Sequence, residues 1–194
     1  MNEKIKALLK TIPGPAQKVL FIFIIVLIVA IYYEGPKLFP FLRYDTPKIE
    51  NTVGTFYNVD HVIDGDTIAI EMPDGVEKVR LIGINTPETV NPNMPAQCFG
   101  KEATKKMSDL VSGKIIRLEY DDTQGIRDTY YRLLAYVYLE DGQMVNRKMI
   151  SEGFAYEYTY IVPYKYQKEF RDLQTLAKEN NRGLWSPDTC SGKK

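Results

Sequence analysis

Val62-Ile63-Asp64-Gly65-Asp66-Thr67-Ile68-Ala69-Ile70-Glu71-Met72-Pro73-Asp74-Gly75-Val76-Glu77-Lys78-Val79-Arg80-Leu81-Ile82-Gly83-Ile84 is the stretch whose reading decides the fold. Residues 67–72 alternate as a strand between two turn signals, Asp64-Gly65-Asp66 and Pro73-Asp74-Gly75. Residues 52–63, rich in Val, Thr, Phe and Tyr, form the strand before them. Residues 76–84 form the strand after, with Val79, Leu81 and Gly83 on one face. Three antiparallel strands therefore follow one another.

Pro87 and the prolines at 92 and 95 make residues 85–97 an irregular loop. Residues 100–113 place Ala103, Met107, Leu110 and Val111 at helical spacing. Residues 114–120 read as a fourth strand, 121–131 as a polar loop and 132–140 as a fifth strand ending in Asp141-Gly142. Residues 144–152 form a short helix stopped by Gly153, and 164–181 a longer one with Tyr166, Phe170, Leu173 and Ala177 on one face. Gly183-Leu184-Trp185 closes the unit. Five strands interrupted by a helix after the third predict an α+β unit, the five-stranded Greek-key barrel called the OB-fold, with about three helices.

The N-terminal part has a different character. Residues 19–33 are uncharged and apolar except for Tyr32 and Tyr33. Fifteen residues of helix span about 22 Å at ~1.5 Å each, short against a hydrocarbon core of ~30 Å. Pro15 and Ala16 extend the run, Lys18 can snorkel, and the tyrosines suit the headgroup belt. An uncleaved transmembrane helix is the preferred reading, with a cleaved signal-peptide core and a buried helix as alternatives; no small-x-small cleavage site follows the run. Lys4, Lys6, Lys10 and Lys18 precede it against Glu3. The positive-inside rule then puts residues 1–18 in the cytoplasm and the domain outside, as a single-pass protein of the cell membrane. Residues 34–50, with three prolines, read as a linker, 51–188 as the domain and 189–194 as a tail.

Cys98 and Cys190 both lie in the external part, where a disulfide is permitted and would staple the tail to the body; two free thiols are the plain alternative. With two cysteines and one histidine, His61, a zinc site is not expected. Residues 50–194 carry 18 Lys and Arg against 22 Asp and Glu, a net charge of −4, which counts mildly against nonspecific duplex binding.

Three clusters hold chemistry-bearing residues: Asp64-Gly65-Asp66-Thr67, Arg80 with Asn85-Thr86-Pro87-Glu88, and Asp128-Thr129-Tyr130-Tyr131-Arg132. Carboxylates and a loop carbonyl offer hard oxygen ligands for calcium, arginine offers a planar fork for phosphate, and a further carboxylate can act as base. Each cluster alone is an ordinary turn or a surface charge. In this order, and with Phe99-Gly100-Lys101-Glu102-Ala103, Leu133-Leu134-Ala135-Tyr136-Val137, Met144-Val145-Asn146 and Gly183-Leu184-Trp185-Ser186, the chain resembles the thermonuclease family over roughly residues 55–186.

The resemblance implies a Ca2+-dependent nuclease acting on DNA and RNA and leaving 3′-phosphates. It implies Asp66 as the principal metal ligand, Asp64 acting through the metal's water shell, and Thr86 lending its backbone carbonyl. Glu88 matches the general base, and Arg80 and Arg132 match the phosphate-gripping arginines. Two departures stand out. Asn85 occupies the position where the family usually carries a second metal carboxylate, so calcium should bind more weakly. Tyr131 stands where the best-known member has glycine. Of the 14 tyrosines, Tyr130, Tyr158 and Tyr160 are candidates for stacking on bases, with packing as the other reading. The partners implied are nucleic acid and, through residues 19–33, the lipid bilayer; no protein partner is implied. A binding module with a weak or inactive metal site is the alternative.

Overall fold

The computed structural model describes residues 19, 21–24, 55–89 and 97–193. The chain divides into two units, Met1–Glu50 and Asn51–Lys194. Of the first, Val19 and residues 21–24 are helical and exposed. The rest of the expected cytoplasmic segment, membrane-spanning run and linker lies outside the described residues. Among the described residues, no helix is long and apolar enough to cross a membrane.

Five strands of the second unit close into a barrel in the order β1 (Phe56–Val62), β2 (Thr67–Met72), β3 (Gly75–Leu81), β6 (Leu133–Leu139) and β5 (Ile115–Glu119). All neighbours are antiparallel except β3 and β6, which run parallel. The parallel pair requires a long excursion between its strands, and the chain makes it through helix α1 (Gly100–Val111) and β5. A register shift between Val59 and His61 bends β1 so that it can pair with both β2 and β5. Closure leaves no free sheet edge.

Ile68, Ile70, Val79, Leu81, Ile116, Leu133 and Val137 fill the interior. Ala103, Met107, Leu110 and Val111 are buried on α1, as their spacing predicts. Helices α2 (Val145–Ser151) and α3 (Gln167–Glu179) and a 3-10 turn (Gly183–Trp185) complete the unit. On α3 only Phe170 and Ala177 are fully buried; Tyr166 and Leu173 are half-buried. The helix begins at Gln167 rather than 164, because Tyr164 turns inward under Gly83 instead.

Two differences from expectation matter for the site. Residues 76–84 are not one strand: β3 ends at Leu81, the chain turns at Gly83, and Ile84–Asn85 form a separate strand, β4, paired with β7 (Tyr156–Glu157). Gly83 has φ +78° and a Cβ there would lie 2.6 Å from the Tyr164 ring, so the turn needs glycine. Asn85 thus sits in a short ladder rather than an irregular loop. Secondly, the 121–131 loop has a buried anchor. Asp121 accepts hydrogen bonds from the Tyr136 hydroxyl and the Lys165 N–H, both 2.7 Å, and from Thr123. Burial raises its pKa, but these bonds outweigh burial and hold it below the usual range.

Buried Asn146 joins the layers. Its Oδ1 accepts the Val137 N–H at 2.9 Å and its Nδ2 donates to the Ile82 carbonyl at 2.8 Å. Cys98, two residues before α1, is bonded to Cys190, with Sγ–Sγ 2.00 Å and a sequence separation of 92. Constraining so long a loop restricts the unfolded chain, so reduction should cost about 2–4 kcal/mol. Thermal unfolding with and without reductant measures this, and an unchanged melting temperature would contradict it.

Candidate active site

The turn between β1 and β2 positions two carboxylates. Asp64 Oδ1 accepts the Asp66 N–H at 2.9 Å, closing the turn on itself. Gly65 has no side chain because Thr86 occupies that space: a Cβ on Gly65 would lie 2.7 Å from Thr86 Oγ1. The close approach lets Thr86 donate twice to Asp66 Oδ2, from its N–H at 2.9 Å and its hydroxyl at 3.2 Å. The Thr67 hydroxyl donates to Asp66 Oδ1 at 3.1 Å. Asp66 is 6% exposed, a carboxylate taken out of water and held by donors.

Register brings in the first arginine. Thr67 pairs with Arg80 across β2 and β3, which points Arg80 at the turn. Its Nη2 lies 3.1 Å from Asp66 Oδ2 and donates to Asn85 Oδ1 at 3.2 Å. Its Nη1 donates to the carbonyls of Leu81 and Ile84 at 2.8 and 2.9 Å, tying down the chain reversal between β3 and β4.

The second arginine comes from the 121–131 loop and its exit into β6. Asp128 Oδ1 accepts the N–H groups of Tyr130 and Arg132, and Oδ2 accepts Arg132 Nε at 2.8 Å. Tyr131 takes the left-handed conformation, φ +63°, that this tight loop requires. Arg132 Nη1 then donates to Thr67 Oγ1 at 3.3 Å. Thr67 therefore links the two arginines through the Asp66 carboxylate. The sequence placed Thr67 and Asp128 in two of the three clusters without assigning either a role, because the Thr67 partner comes from a distant loop; Asp128 four residues before Arg132 was the available signal.

Glu88 follows Thr86 on the loop after β4 and is exposed. Its backbone is clamped by Gln97: the Glu88 N–H donates to Gln97 Oε1 and the Gln97 N–H to the Glu88 carbonyl, both 2.8 Å. Gln97 neighbours the disulfide. No sequence pattern pointed to it. Tyr130 is exposed, with the Arg132 guanidinium 5.5 Å from its ring. Tyr158 and Tyr160 are exposed with ring centroids 6.4 Å apart, and the Tyr158 N–H donates to the Gly83 carbonyl at 3.0 Å. The β4–β7 ladder thus runs the tyrosine segment beside the turn that carries Asn85 and Thr86.

Negative charge is in local excess at the turn. Burial, then the adjacent Asp66 charge, pushes Asp64 up to about 6. The groups that could hold a metal here are the two crowded carboxylates, the Asn85 amide oxygen and the Thr86 carbonyl, all oxygen donors with no sulfur or imidazole. That set suits a hard divalent cation such as calcium. Among the described residues no group of three His, Cys, Asp or Glu gathers around one point.

A closed five-stranded barrel bringing two carboxylates and two guanidinium groups together at one turn defines the class, a hydrolase of the nuclease type. The chain belongs to the staphylococcal nuclease homologue family, whose model matches residues 78–187. It is 38% identical over 143 residues to a thermonuclease of Staphylococcus hyicus, covering 74% of this chain and 83% of the relative. It is also 38% identical over 151 residues to a thermonuclease of Staphylococcus intermedius, covering 76% and 88%. A prophage-derived endonuclease of Bacillus subtilis (strain 168) is 39% identical over 129 residues, 66% of this chain and 43% of that protein.

The Asp64 shift has a stability consequence. The folded value lies above the ordinary 3.8. Stability from the protonated form is therefore full below about pH 4 and lost as pH rises through about 6. In metal-free protein, Asp64→Asn should remove that loss and stabilise the fold by roughly 1–3 kcal/mol at pH 7 relative to pH 4. Denaturant unfolding of both proteins at the two pH values tests this; parallel pH dependences would contradict it.

Proposed function

We propose that the chain is a calcium-dependent nuclease that hydrolyses phosphodiester bonds of DNA and RNA to 3′-phosphate products on the outer side of a membrane. The observation carrying this reading is the convergence of Arg80 and Arg132 on the Asp66–Thr67 pair. Arg80 reaches the Asp66 carboxylate and Arg132 the adjoining Thr67 hydroxyl, and two forked cations at one turn can together hold the nonbridging oxygens of a phosphodiester. Arg80 is held by two carbonyls, so its approach to phosphate needs little reorganisation. Arg132 is oriented by Asp128. Glu88, exposed beyond Thr86, would take a proton from the attacking water, with Gln97 fixing its backbone. Tyr130, Tyr158 and Tyr160 supply faces for the flanking bases.

Asp66, Asp64, Asn85 and the Thr86 carbonyl would hold the calcium ion. When bound, it supplies positive charge against the phosphate oxygens and lowers the pKa of water. The domain's place outside the cell rests on the lysines before residues 19–33 and the uncharged, apolar character of that run. Protease digestion of intact cells tests it: removal of the domain supports the external side, and protection contradicts it.

Asn85 favours a second reading, a nucleic-acid-binding module with little turnover. The two readings part in one assay. Zymography on single-stranded DNA should show cleavage with calcium and none with chelator. Equal activity in chelator contradicts the calcium reading, and binding without cleavage at any calcium concentration supports the module.

Arg132→Ala should lower kcat by at least about 100-fold with the fold retained, since the side chain sits at the rim. Arg80→Ala should lower both activity and stability, because Asp66 would be left buried without its ionic partner. Gln97→Met, which keeps the shape but removes the acceptor, should lower kcat with KM unchanged. Steady-state kinetics and circular dichroism check all three, and near-normal rates in Arg132→Ala would refute the site.

A further inference from the structure

Strand β1 and helix α1 leave an open groove of about 580 Å³ between them that the reaction described above does not use. Asp60 and His61 of β1 form one wall. The other is a single stripe of α1: Lys101, Thr104, Lys105 and Ser108 are spaced to share one helical face. Thr89 also lines the groove. Both walls lead to the catalytic cluster, because β1 continues through Ile63 to Asp64 and Thr89 directly follows Glu88.

The charge in the groove is available to an anion. Lys105 pairs with Asp109 at 2.6 Å, but with side-chain exposures of 75% and 57% this pair is solvated and weak. The Asp60 carboxylate is engaged by His61 Nδ1 at 2.5 Å. Among the described residues, no ion pair holds Lys101. The hydroxyls face one another, Thr89 with Thr104 at 3.4 Å and Ser108 with Ser112 at 2.8 Å, and can rotate to donate outward. Among the described residues, His61 is the only aromatic ring in the lining. Such a lining grips a sugar–phosphate backbone without stacking or reading bases.

We propose that this groove is a second substrate subsite. It carries the phosphate backbone of a single-stranded polynucleotide leaving the active site past Glu88, with Lys101 and Lys105 each neutralising one phosphate. The proposal rests on the nuclease reading and adds that substrate length, not sequence, is sensed here.

The test uses the full chain and the double variant Lys101→Gln/Lys105→Gln, with a dinucleotide and a single strand of about 20 nucleotides as substrates. For the long strand, KM should rise about tenfold, and the salt dependence of kcat/KM should flatten by about 1.4, at roughly 0.7 per phosphate contact. For the dinucleotide, kcat/KM should stay within about twofold, since it does not reach the groove. Lys168→Gln/Lys178→Gln removes the same charge from α3 and should leave both substrates unaffected. An unchanged KM for the long strand, or an equal rise in the α3 variant, overturns the subsite. Fluorescence anisotropy with the labelled long strand reads the same loss as about tenfold weaker binding. If wild-type protein cuts neither substrate, the nuclease reading fails while binding still decides the groove.

Discussion

A carboxylate at 6% exposure must be surrounded by donors or be neutralised, and Asp66 is surrounded. Its two oxygens gather the Thr67 hydroxyl, both donors of Thr86 and the Arg80 guanidinium. Those groups come from the start of β2, the loop after β4 and the end of β3. Satisfying one buried charge therefore decides where three parts of the chain meet. It also explains Gly65, since any side chain there would displace Thr86. The polar cluster sits on a barrel packed with apolar side chains such as Ile68, Val79 and Leu81, so misplacing any donor would leave a buried charge uncompensated.

The same arrangement leaves a deliberate imbalance beside it. Arg80 answers Asp66, Asp128 answers Arg132, and Asp64, despite a backbone N–H and the more distant pull of Arg80, is dominated by burial and a like-charged neighbour. An excess of negative charge at an oxygen-lined turn would favour a bound cation. Asn85 moderates it. A carboxylate at that position would add attraction for the cation, and it would also grip Arg80 more tightly; the amide accepts one N–H from Arg80 without competing for its charge.

Glu88 is reached by a different route. It lies on a loop that the barrel does not bury, and its backbone is fixed from the side by Gln97, next to the bond between Cys98 and Cys190. Gly100 lets the first turn of α1 press against the carbonyls of Pro87 and Glu88, where a Cβ would sit at 3.0 Å from each. The clamp, the helix start and the cross-link to the far end of the domain all converge on this short segment. A covalent tie is an economical way to order an exposed loop that hydrophobic burial cannot reach.

Much of the barrel was legible along the chain because its signals are local. Alternation in residues 67–72, the Pro73-Asp74-Gly75 turn and the helical spacing of Ala103, Met107 and Leu110 depend on neighbours only a few residues apart. The types and order of Asp64, Asp66, Arg80, Glu88 and Arg132 were likewise written in the sequence. Tertiary structure alone decided the rest. The parallel meeting of β3 with β6, the break at Gly83 that makes β4 a separate strand, and the roles of Thr67 and Gln97 all rest on contacts with no local signature. Local periodicity follows from backbone geometry, which every residue carries. Which donor answers which buried charge depends on three-dimensional closeness, and that exists only once the barrel has closed.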